Sequence, residues 1–387
     1  MTHFSDYQNE IYLGGLSGPP PTRPLDWSEL ECRAGEHLAP GPWGYISGGA
    51  GREQTVSANR EALDRVRIVP RMLRDVSERS LQRTVLGTAM PAPVLLAPIG
   101  VQTLAHPDGE LAAARAAASV ELPFIASTAS SYTMEEIAEA GGAGARWYQL
   151  YWPKSRDLAA SLVGRAEKAG YSALVVTLDT WLLGWRPRDL DQAFLPFLWA
   201  EGNANYFVDP VFRSLLSSTP EENRMEAVGQ WAFQFSNPAV TWEDLAWLRA
   251  QTDLPIVLKG IQHPDDARLA VQHGADGLIV SNHGGRQVDG AIGALDALPA
   301  VVAAAGADLE ILFDSGIRGG ADAIKALALG ARAVCLGRPY MWGLALGGEQ
   351  GVRDVLRALL ADVDLAMALS GHAGIDAVGA DTVSPVS

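Results

Sequence analysis

From Met90 onward, short runs of apolar and β-branched residues alternate with alanine-rich amphipathic stretches. A strand that is followed by a helix and then by another strand pairs in parallel with its successor. The alternation therefore calls for a parallel sheet with its helices outside. Eight runs qualify as strands: Val94–Pro98, Phe124–Ser127, Trp147–Tyr151, Ala173–Asp179, Pro255–Lys259, Gly277–Ser281, Glu310–Asp314 and Ala333–Gly337. The intervening helical segments include Gly109–Val120, Arg156–Ala169, Pro264–His273 and Gly319–Leu329, with Val352–Leu369 after the last strand. Eight such units over about 250 residues match the size of a (β/α)8 TIM barrel, an α/β fold.

That fold makes a statement about chemistry, because its active sites lie at the C-terminal ends of the strands. Those ends carry Pro98-Ile99-Gly100, Ser127, Gln149 with Tyr151, Thr177 with Asp179, and Lys259. Turn chemistry alone accounts for polar residues and glycines at such places. It accounts less well for Arg318 near Gly316 after the seventh strand and Arg338 beside Gly337 after the eighth, where barrels often grip a phosphate. The sixth strand feeds Ser281-Asn282-His283-Gly284-Gly285-Arg286. His283 exchanges a proton near neutral pH, Arg286 can hold a carboxylate with two parallel bonds, and the glycines admit a bulky flat group.

The rest of the chain frames this barrel. Residues 1–89 form an N-terminal part: Pro19, Pro20, Pro21 and Pro24 suggest an extended arm over 1–26, followed by short helices at Trp27–Leu38 and Pro42–Ser47. Tyr45 then reads as an aromatic packed under the turn Gly48–Gly51. The barrel occupies 90–345 and a C-terminal helix and tail 346–387, all in a single domain. After the fourth strand, residues 187–239 interrupt the alternation with many aromatics and no clear period, which points to a lid or to an inserted unit with its own small core.

Bulk properties narrow the partners. The formal net charge of −15 disfavours nucleic acid and anionic membranes, so any anion site must be a local focus of arginines. Cys32 and Cys335 are the only cysteines, and no metal-binding pattern, Walker loop or dinucleotide glycine fingerprint occurs. Met1–Gly18 lacks the build of a signal peptide and no stretch could span a bilayer, so a cytoplasmic location is expected.

The run Ser281 to Gln287 closely resembles the signature of the FMN-dependent L-2-hydroxy-acid oxidases, and the resemblance covers nearly the whole chain. It implies that FMN sits at the barrel mouth. Its phosphate would lie against Gly316, Arg318, Gly337 and Arg338, and its ribityl chain against Asp314. The isoalloxazine would meet Ser127, Gln149, Thr177, Lys259, Ser281 and the backbone of Pro98, Ile99 and Gly100. Lys259 would place positive charge at the N1–O2 edge, and Gly100 would leave room beside N5. His283 is then the base and Asp179 orients its imidazole. Tyr151 bonds the substrate hydroxyl, while Arg286, Arg186 and Tyr45 clamp the carboxylate. Taken alone, Asp179 reads equally as an N-cap and Arg186 as a surface charge.

Within that family, Tyr7–Tyr12 and the stretch from Leu178-Asp179-Thr180-Trp181 to Asp189 resemble the lactate 2-monooxygenases, whereas His106-Pro107-Asp108-Gly109-Glu110 resembles glycolate and mandelate oxidases. Ala129, where several relatives carry a bulkier residue, leaves substrate size open. The resemblance implies oxidation of an L-2-hydroxy acid such as lactate with oxygen as acceptor, by a homo-oligomer of four or more copies. Retention of keto acid and peroxide gives acetate, carbon dioxide and water; early release gives an oxidase. A non-redox flavin-binding barrel would have no need of a carboxylate clamp beside a histidine base, and a degenerate scaffold would have no reason to keep His283 and Asp179.

Overall fold

The computed structural model describes residues 3–385. Eight strands close a parallel barrel: β1 (Val94–Leu96), β2 (Phe124–Ser127), β3 (Arg146–Leu150), β4 (Leu174–Thr177), β5 (Ile256–Ile261), β6 (Gly277–Val280), β7 (Glu310–Phe313) and β8 (Ala333–Leu336). Closure is made by β8 on β1, with Val334 opposite Val94 and Leu336 opposite Leu96. Alternate residues point inward and outward, as the pleat requires. Leu95, Ile125, Trp147, Val175, Val257, Ile279, Leu312 and Cys335 fill the interior, while neighbours such as Val94, Leu96, Ala126 and Val176 pack against the helices. A hairpin of Arg83–Val85 and Thr88–Met90 contributes Val85 and Met90 to the interior cluster, and Trp147 Nε1 donates to Thr88 Oγ1 at 2.9 Å. With the interior filled, chemistry is left to the other end.

Several expected strands run one or two residues too far. Pro98, Tyr151, Asp179, Ser281, Asp314 and Gly337 lie past the last strand residue, free to turn from the sheet toward the mouth. The arm over residues 1–26 is not wholly extended. Asp6–Gly14 is a helix docked on the last helix, where Ser5 N–H donates to Asp364 (2.9 Å) and Glu10 pairs with Arg357 (2.6 Å). The prolines exclude a helix only from the stretch that contains them. The last helix starts directly after β8 at Arg338 and runs to Leu369, kinked at Gly347 and Gly348, rather than starting at Val352.

The insertion is a packed unit. Short helices at Pro187–Asp191, Ala204–Phe207, Pro210–Ser214 and Arg224–Phe235 surround buried Phe197, Tyr206, Phe212, Trp231 and Phe235. Phe197 stacks on Trp231 at 4.6 Å between ring centroids. Asn205 ties the unit to the barrel through Thr128 O and Ser130 Oγ, and Asp209 ties it through Arg165.

Candidate active site

At the end of β6, His283, Gly284 and Gly285 all adopt left-handed backbone, with φ of 57°, 65° and 78°. For a residue with a Cβ this is a strained conformation, kept only where surrounding contacts over-determine it. They do so here. Ser281 Oγ accepts from His283 N–H (3.0 Å), Ser315 Oγ from Gly284 N–H (3.0 Å) and Asn282 Oδ1 from Gly285 N–H (3.1 Å). Asn282 is in turn held by reciprocal amide bonds to Asn59, from the helix Gln54–Asp64. A Cβ on Gly285 would lie 2.7 Å from Val56, so the close approach of that helix itself requires glycine.

The turn brings His283 Nδ1 to 2.7 Å from Asp179 Oδ1, and Thr180 Oγ1 contacts both. Burial works to raise the Asp179 carboxyl. The charges of His283 and Lys259 and the bonds from His283 and Thr180 outweigh it and hold the group well below the usual carboxylate range. Burial lowers the His283 pKa, and Asp179 opposes this only in part. The imidazole is therefore neutral near pH 7, with Nδ1–H directed at the carboxylate. Nε2, which has no hydrogen-bond partner among the described residues, is left as the basic nitrogen of a ring that faces the cavity. Asp179 comes this close because β5 bulges between Lys259 and Ile261. At the bulge Gly260 has φ 109°, and a Cβ there would meet Asp179 at 2.8 Å. Lys259 Nζ is buried between Ser281 Oγ (2.8 Å), Asp314 (3.2 Å) and Asp179 (3.9 Å). Burial disfavours its charge, but the two carboxylates hold its pKa above the ordinary lysine value.

Four guanidinium groups line the same cavity: Arg186, Arg286, Arg318 and Arg338. Among the described residues none of them forms an ion pair with a carboxylate; they reach neutral acceptors instead. Arg286 donates to Tyr45 O and Gly48 O, Arg186 to Arg286 O and Gln287 Oε1, Arg338 to Gly48 O and Gly284 O, and Arg318 to Ile317 O. Burial, with repulsion from neighbouring arginines, pushes the pKa of Arg286 down to about 10 and that of Arg338 to about 9; burial first of all takes Arg318 to about 10. Buried cations without counter-charges are costly unless an anion completes the site. They fall into two groups: Arg318 and Arg338 at the ends of β7 and β8, and Arg186 and Arg286 beside Tyr45 and Tyr151. Tyr45 packs under the Arg286 guanidinium at 5.0 Å. Burial raises both phenols, which therefore act as neutral donors.

The mouth also fits a flavin between these poles. Gly337 caps the last helix with open space where a Cβ would be, so an anion can approach that N-terminus. Ile46, Ile317, Cys335 and Met341 supply apolar lining. Ser127, Gln149, Thr177 and Ser281 do not line the open cavity; they are buried at the strand ends. Gln149 Nε2 and Thr177 Oγ1 are nonetheless buried without a partner among the described residues, as expected of groups that meet a ring nitrogen or carbonyl. Ser281 instead holds Lys259 and His283. Gly100 lines the cavity, and a Cβ there would lie 2.6 Å from Ala129 O, so the adjoining loop also demands a glycine.

Sequence reasoning passed over Thr180 and Gln287, and it expected a lid from 187–239 without naming the side chains that form it. Gln287 Nε2 donates to Asp179 O and Leu182 O while its Oε1 accepts from Arg186, joining acid and clamp. Phe197 and Phe235 come from the insertion; Phe235 lies 4.8 Å from Tyr151 and Phe197 6.3 Å from Tyr45. Gln287 stood in plain view inside the signature run, whereas nothing in the sequence singled these two aromatics out of the many in 187–239.

Comparison with known proteins bears on this geometry. The profile of the FMN-dependent dehydrogenase family matches residues 34–385. An L-lactate oxidase of Lysinibacillus sphaericus (strain C3-41) is 44% identical over 376 residues, covering 97% of this chain and 96% of the relative. The 2-hydroxyacid oxidase 1 of Homo sapiens is 44% identical over 347 residues, covering 89% and 92%. The crystal structure of a mandelate oxidase with (S)-4-hydroxymandelic acid superposes with a TM-score of 0.82 at 41% identity, over 93% of this chain and 98% of that one.

Proposed function

The chain belongs to the FMN-dependent dehydrogenase family, and from that premise we propose that it oxidises a small L-2-hydroxy acid, such as lactate, to the 2-keto acid with oxygen as acceptor. The observation that carries this reading is one cavity holding the His283–Asp179 pair and two groups of buried arginines without carboxylate partners. A substrate carboxylate and a phosphate supply the two anions. Arg318, Arg338, Gly316 and Gly337 would hold the FMN phosphate and Asp314 its ribityl chain. Lys259, Gln149, Thr177, Ser127, Ser281 and the backbone of Pro98–Gly100 would hold its ring.

The bound flavin supplies the two-electron acceptor and the reaction with oxygen. The chain's own residues do the rest. Arg286 and Arg186 hold the carboxylate, with Tyr45 donating, and fix the α-carbon relative to His283. Tyr151 donates to the substrate oxygen. His283 Nε2 takes the proton that the substrate gives up, and the Asp179 carboxylate stabilises the imidazolium so formed. Phe197 and Phe235, closing over Tyr45 and Tyr151, exclude water.

That roof also favours the monooxygenase outcome. A 2-keto acid held beside peroxide is decarboxylated, so that pyruvate and hydrogen peroxide become acetate, carbon dioxide and water. The relatives named oxidases favour release of both instead. The proposal extends to a cytoplasmic homo-oligomer, which native mass measurement tests. The structure has no helix long and apolar enough to cross a membrane among the described residues. Mixing holoenzyme with L-lactate without oxygen should bleach the flavin absorption, and D-lactate should not. On admitting oxygen, acetate and carbon dioxide should appear; stoichiometric pyruvate and peroxide would leave the oxidase, and a flavin that L-lactate does not bleach would overturn the reading.

A further inference from the structure

The motif His106–Glu110 has no part in the chemistry above, yet it carries a buried acid. Glu110 is fully buried on the first barrel helix. Its Oε1 accepts from Gln102 N–H (3.0 Å) in the loop after β1 and from Ser131 N–H (3.1 Å) in the loop after β2. Among the described residues its Oε2 has no partner, and neither does the buried Oε1 of Gln102.

The residue before Gln102 explains why such an anchor is needed. Val101 is β-branched and buried, yet its φ is 55°, a strained conformation that persists only under external constraint. Its own N–H donates to Ala129 O (2.9 Å), again across to the loop after β2. The Gln102 side chain donates to Ile99 O and to Tyr340 OH, and Tyr340 OH donates to Ala97 O. The stretch that lines the cavity, Ala97 to Gly100, is thus held from behind by a chain of bonds ending on Glu110. The insertion lands on the same spot: Glu201 meets Thr103 Oγ1 (3.3 Å), which contacts Ser131 Oγ (2.6 Å), and Val101 packs under Gly202.

We infer that Glu110 is a positioning residue: it clamps the strained Val101–Gln102 turn to the loop after β2 and thereby sets Pro98–Gly100 against the flavin ring. Burial pushes its carboxyl up to about 7, with bonds from Gln102 and Ser131 opposing and Glu201 adding. Tyr132 and Tyr340 are the other titratable groups that sense it. Protonated, the side chain keeps Oε1 as the acceptor for both N–H groups and buries no charge. Glutamine likewise keeps an accepting oxygen and carries no charge.

The inference rests on the assignment of Pro98–Gly100 to the flavin. If that assignment failed, FMN bound to the native protein would show no sensitivity to any substitution in residues 97–102, whereas failure of the Glu110 inference alone would leave Gln102→Ala perturbing and Glu110→Ala silent. The test compares native holoenzyme with Glu110→Ala and Glu110→Gln by FMN dissociation constant, visible circular dichroism of the flavin and rate of anaerobic reduction by L-lactate. Glu110→Ala should weaken FMN at least tenfold and change the flavin band, and Glu110→Gln should restore both to within about threefold. Should Glu110→Ala not fold, Glu110→Asp, which withdraws the oxygen by one methylene, should show the same spectral change. A native flavin band and affinity in Ala or Asp, or a loss in Gln as large as in Ala, would overturn the inference.

Discussion

Arg318 and Arg338 stand at the ends of two adjacent strands, each within two residues of a glycine, and Arg338 opens the last helix. Arg186 and Arg286 are instead brought together from the start of the insertion and the turn after β6, with Tyr45 from the N-terminal part. Both groups are buried cations with no carboxylate at ion-pair distance among the described residues, but the first is assembled locally and the second from three distant segments. A locally built anion site comes with the fold, so it can hold a resident cofactor. A site built from distant pieces depends on each of them, and there specificity and closure can be adjusted without disturbing the cofactor.

The comparison can be broken most forcefully at the base. His283→Ala should lower the rate of anaerobic flavin reduction by about 10²–10⁴-fold while FMN stays bound, as read by stopped flow and bound-flavin absorbance. Because the His283 pKa is lowered and the base acts in its neutral form, kcat/KM in the native enzyme should be level above about pH 6.5 and decline only at lower pH. Asp179→Asn removes the charge that raises that pKa and should move the acid limb lower still.

At the clamp, Arg186→Lys or Arg286→Lys should weaken substrate by roughly 10²-fold, because an ammonium cannot reproduce the planar fork; steady-state KM and FMN content together check it. Gly260→Ala introduces a Cβ against Asp179 at a φ of 109°. It should cost about tenfold in reduction rate through a misplaced imidazole, by the sensitivity of catalysis to small displacements.

The smallest effect concerns Glu110. Its folded pKa of about 7 lies above the usual 4.5, so the folded protein holds more proton than the unfolded one between those values. The stability this contributes is present below pH 4.5 and lost as pH rises through 7. Measured against Glu110→Gln, which lacks this titration, thermal unfolding of the native protein should show a Tm difference that falls with pH across that window by roughly 2 °C per pH unit.

The same contrast explains what could be read from the chain. Strand order, the strand-end residues and the signature after β6 are local patterns, and the placing of Lys259, Asp314, Gly316, Arg318, Gly337 and Arg338 at or just past strand ends followed from position alone. The His283–Asp179 contact joins residues 104 positions apart; the resemblance implied it, whereas spacing left Asp179 open as an N-cap. The supports of the site were invisible for the same reason. The helix Gln54–Asp64, which delivers Asn59 to Asn282, has no mark of its role in its own residues, and the strain at Val101 and His283 exists only in the folded backbone. Gly100 was read from its place at the cavity, whereas its contact with Ala129 in the next loop could not be read from the sequence.

The most direct test crosses the two anion sites. FMN affinity and affinity for oxalate, a non-oxidisable carboxylate ligand, are measured by titration in native protein, Arg338→Met and Arg286→Met. The account predicts that Arg338→Met weakens FMN at least tenfold yet, once saturated with FMN, binds oxalate as the native enzyme does. Arg286→Met should keep FMN and lose oxalate. If both substitutions weakened both ligands together, the cavity would be a single anion site and the division into a cofactor half and a substrate half would be wrong.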